Sequence, residues 1–244
     1  MKLRVINPNT TASMTALIGA VARAVAAPST HIDAVQPSFG APSIEGHHDD
    51  VWAAAGVAEQ VRAGELDGAQ AHIIACFGDP GLHAARELSR GPVIGIAEAA
   101  FHAASLLATG FSIVTTLTRT CVIAEHLVLQ YGFERRCRGI HGTDIAVLEL
   151  EDPESDALAR ILACAEAALA HDRSGAIVLG CAGMADMCRT LQQRLGVPVI
   201  DGVAAAVKLA EALVSLGLGT SKRGDYAAPL SKNYVGLAAP YSPR

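Results

Sequence analysis

Two stretches of the chain repeat one another, and each carries one cysteine at the same place. The first runs Ile73-Ile74-Ala75-Cys76-Phe77-Gly78, then Gly91-Pro92-Val93-Ile94-Gly95 and Ala99-Ala100. The second runs Val178-Leu179-Gly180-Cys181-Ala182-Gly183, then Val197-Pro198-Val199-Ile200-Asp201 and Ala204-Ala205-Ala206. The cysteines lie 105 positions apart and the Pro-Val-Ile segments 106. Leu3-Arg4-Val5-Ile6-Asn7 matches Phe111-Ser112-Ile113-Val114-Thr115 at an offset of 108. A near-constant offset across three segments predicts two copies of one unit, so whatever fold the first copy adopts the second must adopt too.

The rest of the sequence says which unit that is. Apolar, β-rich runs are expected as strands over Leu3–Asn7, His31–Gln36, Ala71–Cys76, Val93–Ile96, Phe111–Thr115, Cys137–His141, Ala176–Gly180 and Val197–Ile200. Alanine-rich helical patterns fall between them, near Thr11–Ala26, Asp50–Ala63, Leu82–Ser89, Ala97–Ala108, Arg119–Tyr131, Glu154–Ala170, Met184–Leu195 and Val203–Leu216. The central strand runs are almost wholly apolar, as parallel strands buried on both faces are. Four strand–helix units followed by four more predict an α/β fold of two similar domains, each with a mainly parallel four-stranded sheet. The expected division is 1–97 for the first domain, with 205–225 packing back on it, and 98–204 for the second. The polar tail from Ser221, with Pro229, reads as an extended closing segment.

Composition excludes several classes. A hydrophobic share of 51% with 18% charge excludes a disordered chain. The net charge of −5 and the scattered Lys and Arg leave no basic footprint for nucleic acid. The apolar run from Val93 to Leu107 is interrupted by Glu98 and His102 and reads as a buried helix, so no membrane partner is expected. Asn-Pro-Asn-Thr follows after six residues, too soon for the apolar core of a signal peptide. The six cysteines show no Cys-x-x-Cys spacing, so a cytoplasmic location with reduced thiols is expected.

In open parallel sheets ligands bind beyond the carboxyl ends of the strands. Asn7, Cys76, Thr115 and Cys181 all fall at that end. Two thiols facing across one cleft is the arrangement that two-base racemisation needs. After Cys76, Asp79 reads as an N-cap and Pro80 as a first-turn proline; after Cys181, a helix is expected from Met184. A helix N-terminus beside each thiol favours thiolate. Moving a thiol pKa from about 8.5 to about 7 takes roughly 2 kcal/mol. For either cysteine alone a buried core thiol is the competing reading; the paired placement argues against it. Cys121, Cys137, Cys164 and Cys188 have no equivalents in the other copy and read as structural.

The neighbours of the two thiols, Phe77-Gly78 and Ala182-Gly183, are apolar or small and suit a planar neutral ring better than a zwitterion. Asn9, Thr10, Thr115, Thr116 and Thr118 add neutral donors and acceptors, with turn formation as the competing role. In His47-His48-Asp49-Asp50, Asp49 or Asp50 is expected to cap the following helix rather than hold a metal. Asp79 and His83, four apart, either tune Cys76 or pack. GxGxxG, P-loop and GxSxG motifs are absent.

Val5-Ile6-Asn7-Pro8-Asn9-Thr10, Pro42-Ser43-Ile44-Glu45-Gly46-His47, Ala75-Cys76-Phe77-Gly78-Asp79-Pro80-Gly81, Ile113-Val114-Thr115-Thr116 and Leu179-Gly180-Cys181-Ala182-Gly183-Met184 resemble the hydantoin/allantoin racemase branch of the Asp/Glu racemase superfamily. The resemblance spans roughly Leu3 to Asp225. It implies a site between two similar domains, no cofactor, and a homo-oligomer. It assigns Cys76 and Cys181 as the acid/base pair, with Asn9, Ile44, Phe77, Gly78, Thr115, Thr116, Ala182 and Gly183 as ring contacts. Amino-acid racemases of the superfamily follow their cysteines with Asn-Thr or Thr-His; Phe-Gly and Ala-Gly here argue against free glutamate or aspartate. The expected substrate is a 5-substituted hydantoin, with allantoin, a product of purine breakdown, a strong candidate. Two alternatives stay open: an arylmalonate-type decarboxylase or maleate-type isomerase of the same superfamily, and a non-catalytic small-molecule sensor. Decarboxylase-like members manage with one of the two cysteines, so the presence of both favours racemisation.

Overall fold

A computed structural model describes residues 1–152 and 154–243. All eight expected strands form, and they assemble into two four-stranded sheets. The first contains β1 (Lys2–Ile6), β2 (His31–Val35), β3 (Ala71–Ile74) and β4 (Val93–Gly95) in the order β2-β1-β3-β4. The second contains β5 (Phe111–Thr115), β6 (Cys137–Gly142), β7 (Ala176–Leu179) and β8 (Val199–Ile200) in the order β6-β5-β7-β8. Every pairing is parallel. Leu3 stands opposite Ala71 in the first sheet and Phe111 opposite Ala176 in the second, so the repeat extends to strand register. Burial explains the composition: β3, β5 and β7 are buried at every residue, whereas the edge strands β2 and β6 are largely half-buried.

The helices are α1 (Ala12–Val25), α2 (His47–Leu66), α3 (Leu82–Leu88), α4 (Ile96–Leu107), α5 (Cys121–Gln130), α6 (Ala157–Asp172), α7 (Cys188–Leu195) and α8 (Gly202–Ser215). Two of them cross over. Helix α4 leaves the first sheet and packs on the second, where Ala97, Ala100, Phe101 and Ala104 join Phe111, Ile113 and Val178 in one apolar cluster. Helix α8 leaves the second sheet and returns to the first, where Val203, Ala206, Val207 and Ala210 pack with Leu3, Val5, Ile73 and Ile94. The two sheets are thereby interlocked, and none of the helices is long and apolar enough to cross a membrane among the described residues.

Several local expectations are corrected. Helix α2 starts at His47 with Gly46 in the cap position, so neither Asp49 nor Asp50 caps it; the Asp49 carboxylate accepts from the Glu45 N–H at 3.0 Å instead. Asp79 does not cap α3, whose cap position is Gly81. It takes a left-handed conformation (φ 45°) that turns its carboxylate away, to accept from the N–H groups of Ala97 (3.1 Å) and Glu98 (3.0 Å) at the start of α4. Gly95 makes room for it: a Cβ there would lie 2.1 Å from the Asp79 carboxyl carbon. Short 3-10 turns at Thr118–Thr120 and Ala182–Met187 precede α5 and α7, which therefore begin at Cys121 and Cys188, later than expected. The tail is not simply extended. It forms 3-10 turns at Gly224–Tyr226 and Gly236–Tyr241 and is tied down by Lys222 donating to the Glu87 carbonyl (3.1 Å) and by the His83–Tyr226 contact (2.7 Å).

Candidate active site

In each sheet the chain runs from its first strand to one side and then crosses back to the other. The crevice of such a sheet opens at the carboxyl ends of the two central strands, here β1 with β3 and β5 with β7. The residues following those four strands meet around one cavity. Asn7, Asn9, Cys76, Phe77 and Gly78 contribute from the first sheet, and Thr115, Thr116, Gly180, Cys181 and Ala182 from the second. Ile44 comes from the segment leading to α2. Of the ring contacts that the resemblance implies, Gly183 stands off the wall: it is buried behind Cys181, and a Cβ on it would lie 3.7 Å from Sγ and 3.0 Å from Leu150. Thr10 and Thr118 also lie off it, Thr10 Oγ1 donating to the Ala41 carbonyl at 3.2 Å and the Thr118 N–H to Asp144 Oδ1 at 2.9 Å.

The Asn-Pro-Asn-Thr segment is held by its own side chains. Asn7 Nδ2 donates to Asn9 Oδ1 (2.8 Å) and Thr15 Oγ1 (2.9 Å), and Asn9 Oδ1 also accepts from the Thr11 N–H at 2.9 Å. Both acceptor contacts of Asn9 are thus internal, while its Nδ2 meets only the weak acceptor Met14 Sδ (3.1 Å), leaving a donor on the cavity. On the other side Thr115 Oγ1 donates to the Gly180 carbonyl at 3.0 Å and joins the ends of β5 and β7. Thr116 is buried, and its hydroxyl bonds to none of the described residues, so it too is available to a ligand.

Electrostatically the wall is nearly neutral. It includes no Lys, Arg or His among the described residues, and its one carboxyl group is that of Asp50. The thiols behave differently from the sequence expectation. Each cysteine keeps some accessible surface, yet burial pushes Cys76 up to about 12 and Cys181 up to about 11. The Gly78 and Gly183 N–H groups pull the other way, and the carboxylates of Asp50 and Asp79 near Cys76 and of Glu45 near Cys181 add to the rise. Among the described residues no α-helix starts directly at either thiol: α3 begins at Leu82 and α7 at Cys188. The expected helix-terminus effect thus shrinks to one backbone donor per cysteine, and desolvation wins.

Two segments that carry wall residues, one from each half of the chain, are bonded to each other. Val147, in the 3-10 turn Val147–Glu151, lies on the wall, and its N–H donates to Glu45 Oε1 at 3.0 Å, a bond between the two halves of the chain. Ser13 Oγ donates to Glu151 Oε2 at 2.7 Å beside it. Sequence reasoning missed Val147 and Met14, which carry no chemical signature, and missed Asp50, which it assigned to a helix cap. His83 stays outside the site, bonded to Tyr226 and Gln130. Among the described residues no three of His, Cys, Asp and Glu gather as a metal-binding group, the His47–Asp50 run included.

Comparison with known proteins adds an independent line. Residues 3–210 match the model of the Asp/Glu/hydantoin racemase family. The hydantoin racemase of Rhizobium meliloti is 48% identical over 236 residues, which is 97% of this chain and 98% of that protein. Among solved structures, allantoin racemase from Klebsiella pneumoniae is 57% identical with a TM-score of 0.98 and full coverage of both chains. Allantoin racemase from Pseudomonas fluorescens is 43% identical with a TM-score of 0.93, over 97% of this chain and all of that one.

Proposed function

The chain belongs to the Asp/Glu/hydantoin racemase family, and from that premise we propose that it racemises 5-substituted hydantoins without a cofactor, with allantoin, the 5-ureido compound, as the leading substrate. One observation carries the reading: two cysteines 105 positions apart in the sequence line one cavity from two different sheets.

The chemistry follows from that pair. The C5–H of a hydantoin is α to a carbonyl, so its removal leaves a carbanion that delocalises as an enolate. One cysteine, as thiolate, takes the proton from one face. The opposite thiol then gives its own proton to C5 from the other face, ending as thiolate while the first ends as thiol. The reverse enantiomer exchanges the roles. Asn9 Nδ2 and the Thr116 hydroxyl, both without strong internal acceptors, would donate to the ring oxygens as negative charge develops there. Ile44, Phe77, Gly78, Thr115 and Ala182 form the remaining ring contacts, with Gly183 acting from behind through the Cys181 thiol. A wall with one carboxyl group and no cation disfavours substrates that bear a carboxylate, such as free glutamate, maleate or an arylmalonate.

We place the site between a first lobe of 1–97 with 205–225 and a second of 98–204, and the enzyme in the cytoplasm as a homo-oligomer. With allantoin as substrate it would serve purine-ureide catabolism. The test is the optical rotation of enantiopure allantoin and of 5-benzylhydantoin with purified protein, EDTA and a no-enzyme control. Rotation should decay to zero with at least one of them. Cys76→Ala and Cys181→Ala should each slow the decay at least about 1000-fold; near-full activity in either would end the two-thiol mechanism. Release of CO₂ from an arylmalonate would favour the decarboxylase.

A further inference from the structure

Apart from the two thiols, Asp50 is the one titratable side chain on the cavity wall among the described residues. It projects from the first turn of α2, where its own N–H bonds to the Gly46 carbonyl at 3.1 Å. Asp49 next to it uses its carboxylate on the Glu45 N–H, whereas the Asp50 carboxylate has no hydrogen bond to any described residue. A Cβ built on Gly78 would lie 3.5 Å from Asp50 Oδ1 and 3.9 Å from Cys76 Sγ. The carboxylate and the thiol therefore flank one stretch of bare backbone. Phe77, Ile123 and Ala124 make nearby wall apolar. Burial raises the proton affinity of Asp50, with His47 pulling it back. A half-buried carboxylate without a protein donor is costly unless a ligand supplies one.

We infer that Asp50 is a specificity-determining residue: its carboxylate accepts hydrogen bonds from N–H groups on the substrate's 5-substituent and so selects ureido-bearing hydantoins over alkyl and aryl ones. The inference rests on the hydantoin reading above. A ureido arm offers neighbouring N–H groups that match the two oxygens of a carboxylate. An alkyl arm in the same place would bury the charge against hydrocarbon, and an anionic arm would be repelled. Gly78 fits this role, because a side chain there would stand in contact with both the carboxylate and the thiol and take up space beside them.

The test compares kcat/KM for allantoin and for 5-isobutylhydantoin in the wild type and in Asp50→Leu, with solvent-deuterium exchange at C5 as a second readout. The allantoin-to-isobutyl ratio should fall roughly 10- to 100-fold in the variant, through a loss on allantoin and a gain on the isobutyl compound. A parallel fall in kcat for both compounds would mean that Asp50 acts through Cys76, and would overturn the inference. So would an unchanged ratio. Wild-type protein inactive on both hydantoins would instead overturn the racemase reading itself. If Asp50→Leu fails to fold, Asp50→Asn removes the charge while keeping the shape, and its ratio should shift in the same direction; no shift overturns the inference.

Discussion

The two thiols set the chemistry, and their proton affinity sets its pH dependence. With Cys76 at about 12 and Cys181 at about 11, both are protonated near neutrality and the reactive thiolate is a small fraction. Below those values that fraction grows about tenfold per pH unit. The expected outcome is a kcat/KM for racemisation that climbs with a slope near one on a logarithmic plot from about pH 6 to about pH 9. A plateau beginning near pH 7 would show that the occupied site holds a thiol at a much lower pKa than the empty one. Removing one thiol separates the two faces: Cys76→Ala and Cys181→Ala should retain slow C5 deuterium exchange on opposite enantiomers, without inversion.

At the scale of elements, the loop after β3 is anchored through one carboxylate. Asp79 receives the N–H groups of Ala97 and Glu98 and the Tyr131 hydroxyl (2.9 Å), so the segment carrying Cys76 and Gly78 is fastened to the start of α4 and to the residue just after α5. Burial raises this carboxyl to about 7, while the two N–H donors and the tyrosine oppose the rise. Asp79→Ala leaves three donors unpaired, two of them at a helix N-terminus. The expected cost is about 2 kcal/mol or more, read as a fall in denaturation midpoint, and kcat should fall with it. Asp79→Asn keeps one acceptor and tolerates positive φ, so it should lose less stability than the alanine variant. Equal losses in the two would assign the effect to charge rather than to capping.

At the scale of the whole molecule, α4 and α8 tie the two sheets together through shared apolar clusters, and an ionisation inside one sheet bears on the stability of the fold. His72, in the middle of β3, is fully buried against Ser89, and burial lowers it to about 4 from an ordinary value near 6.5. The unfolded chain therefore takes up this proton more readily than the folded one. The stabilisation from keeping His72 neutral is complete above about pH 6.5 and is lost as pH falls through about 4. Its loss amounts to about 3 kcal/mol across that window. Urea midpoints should fall steeply between pH 6.5 and 4, and His72→Leu should flatten part of that slope. A wild-type slope unchanged by the substitution would assign the acid sensitivity to other groups.

Read alone, the sequence determined the two copies, their eight strands, the approximate helices and the placement of Cys76 and Cys181 at equivalent strand ends. These are legible because apolar runs, alanine-rich helical periods and repeat offsets are local or pairwise properties of the chain. Only the tertiary structure decided three other things. The particular contacts by which α4 packs on the second sheet, through Ala97, Ala100, Phe101 and Ala104, and α8 on the first, through Val203, Ala206, Val207 and Ala210, depend on which apolar faces fit, and strand–helix alternation does not encode them. Asp79 caps a helix that begins 17 residues downstream, and Asp50 enters a cavity rather than capping its own helix, because an acidic side chain near a helix start has several donors within reach. The thiols rise instead of falling in pKa, because desolvation depends on everything packed around a sulfur, most of it remote in sequence.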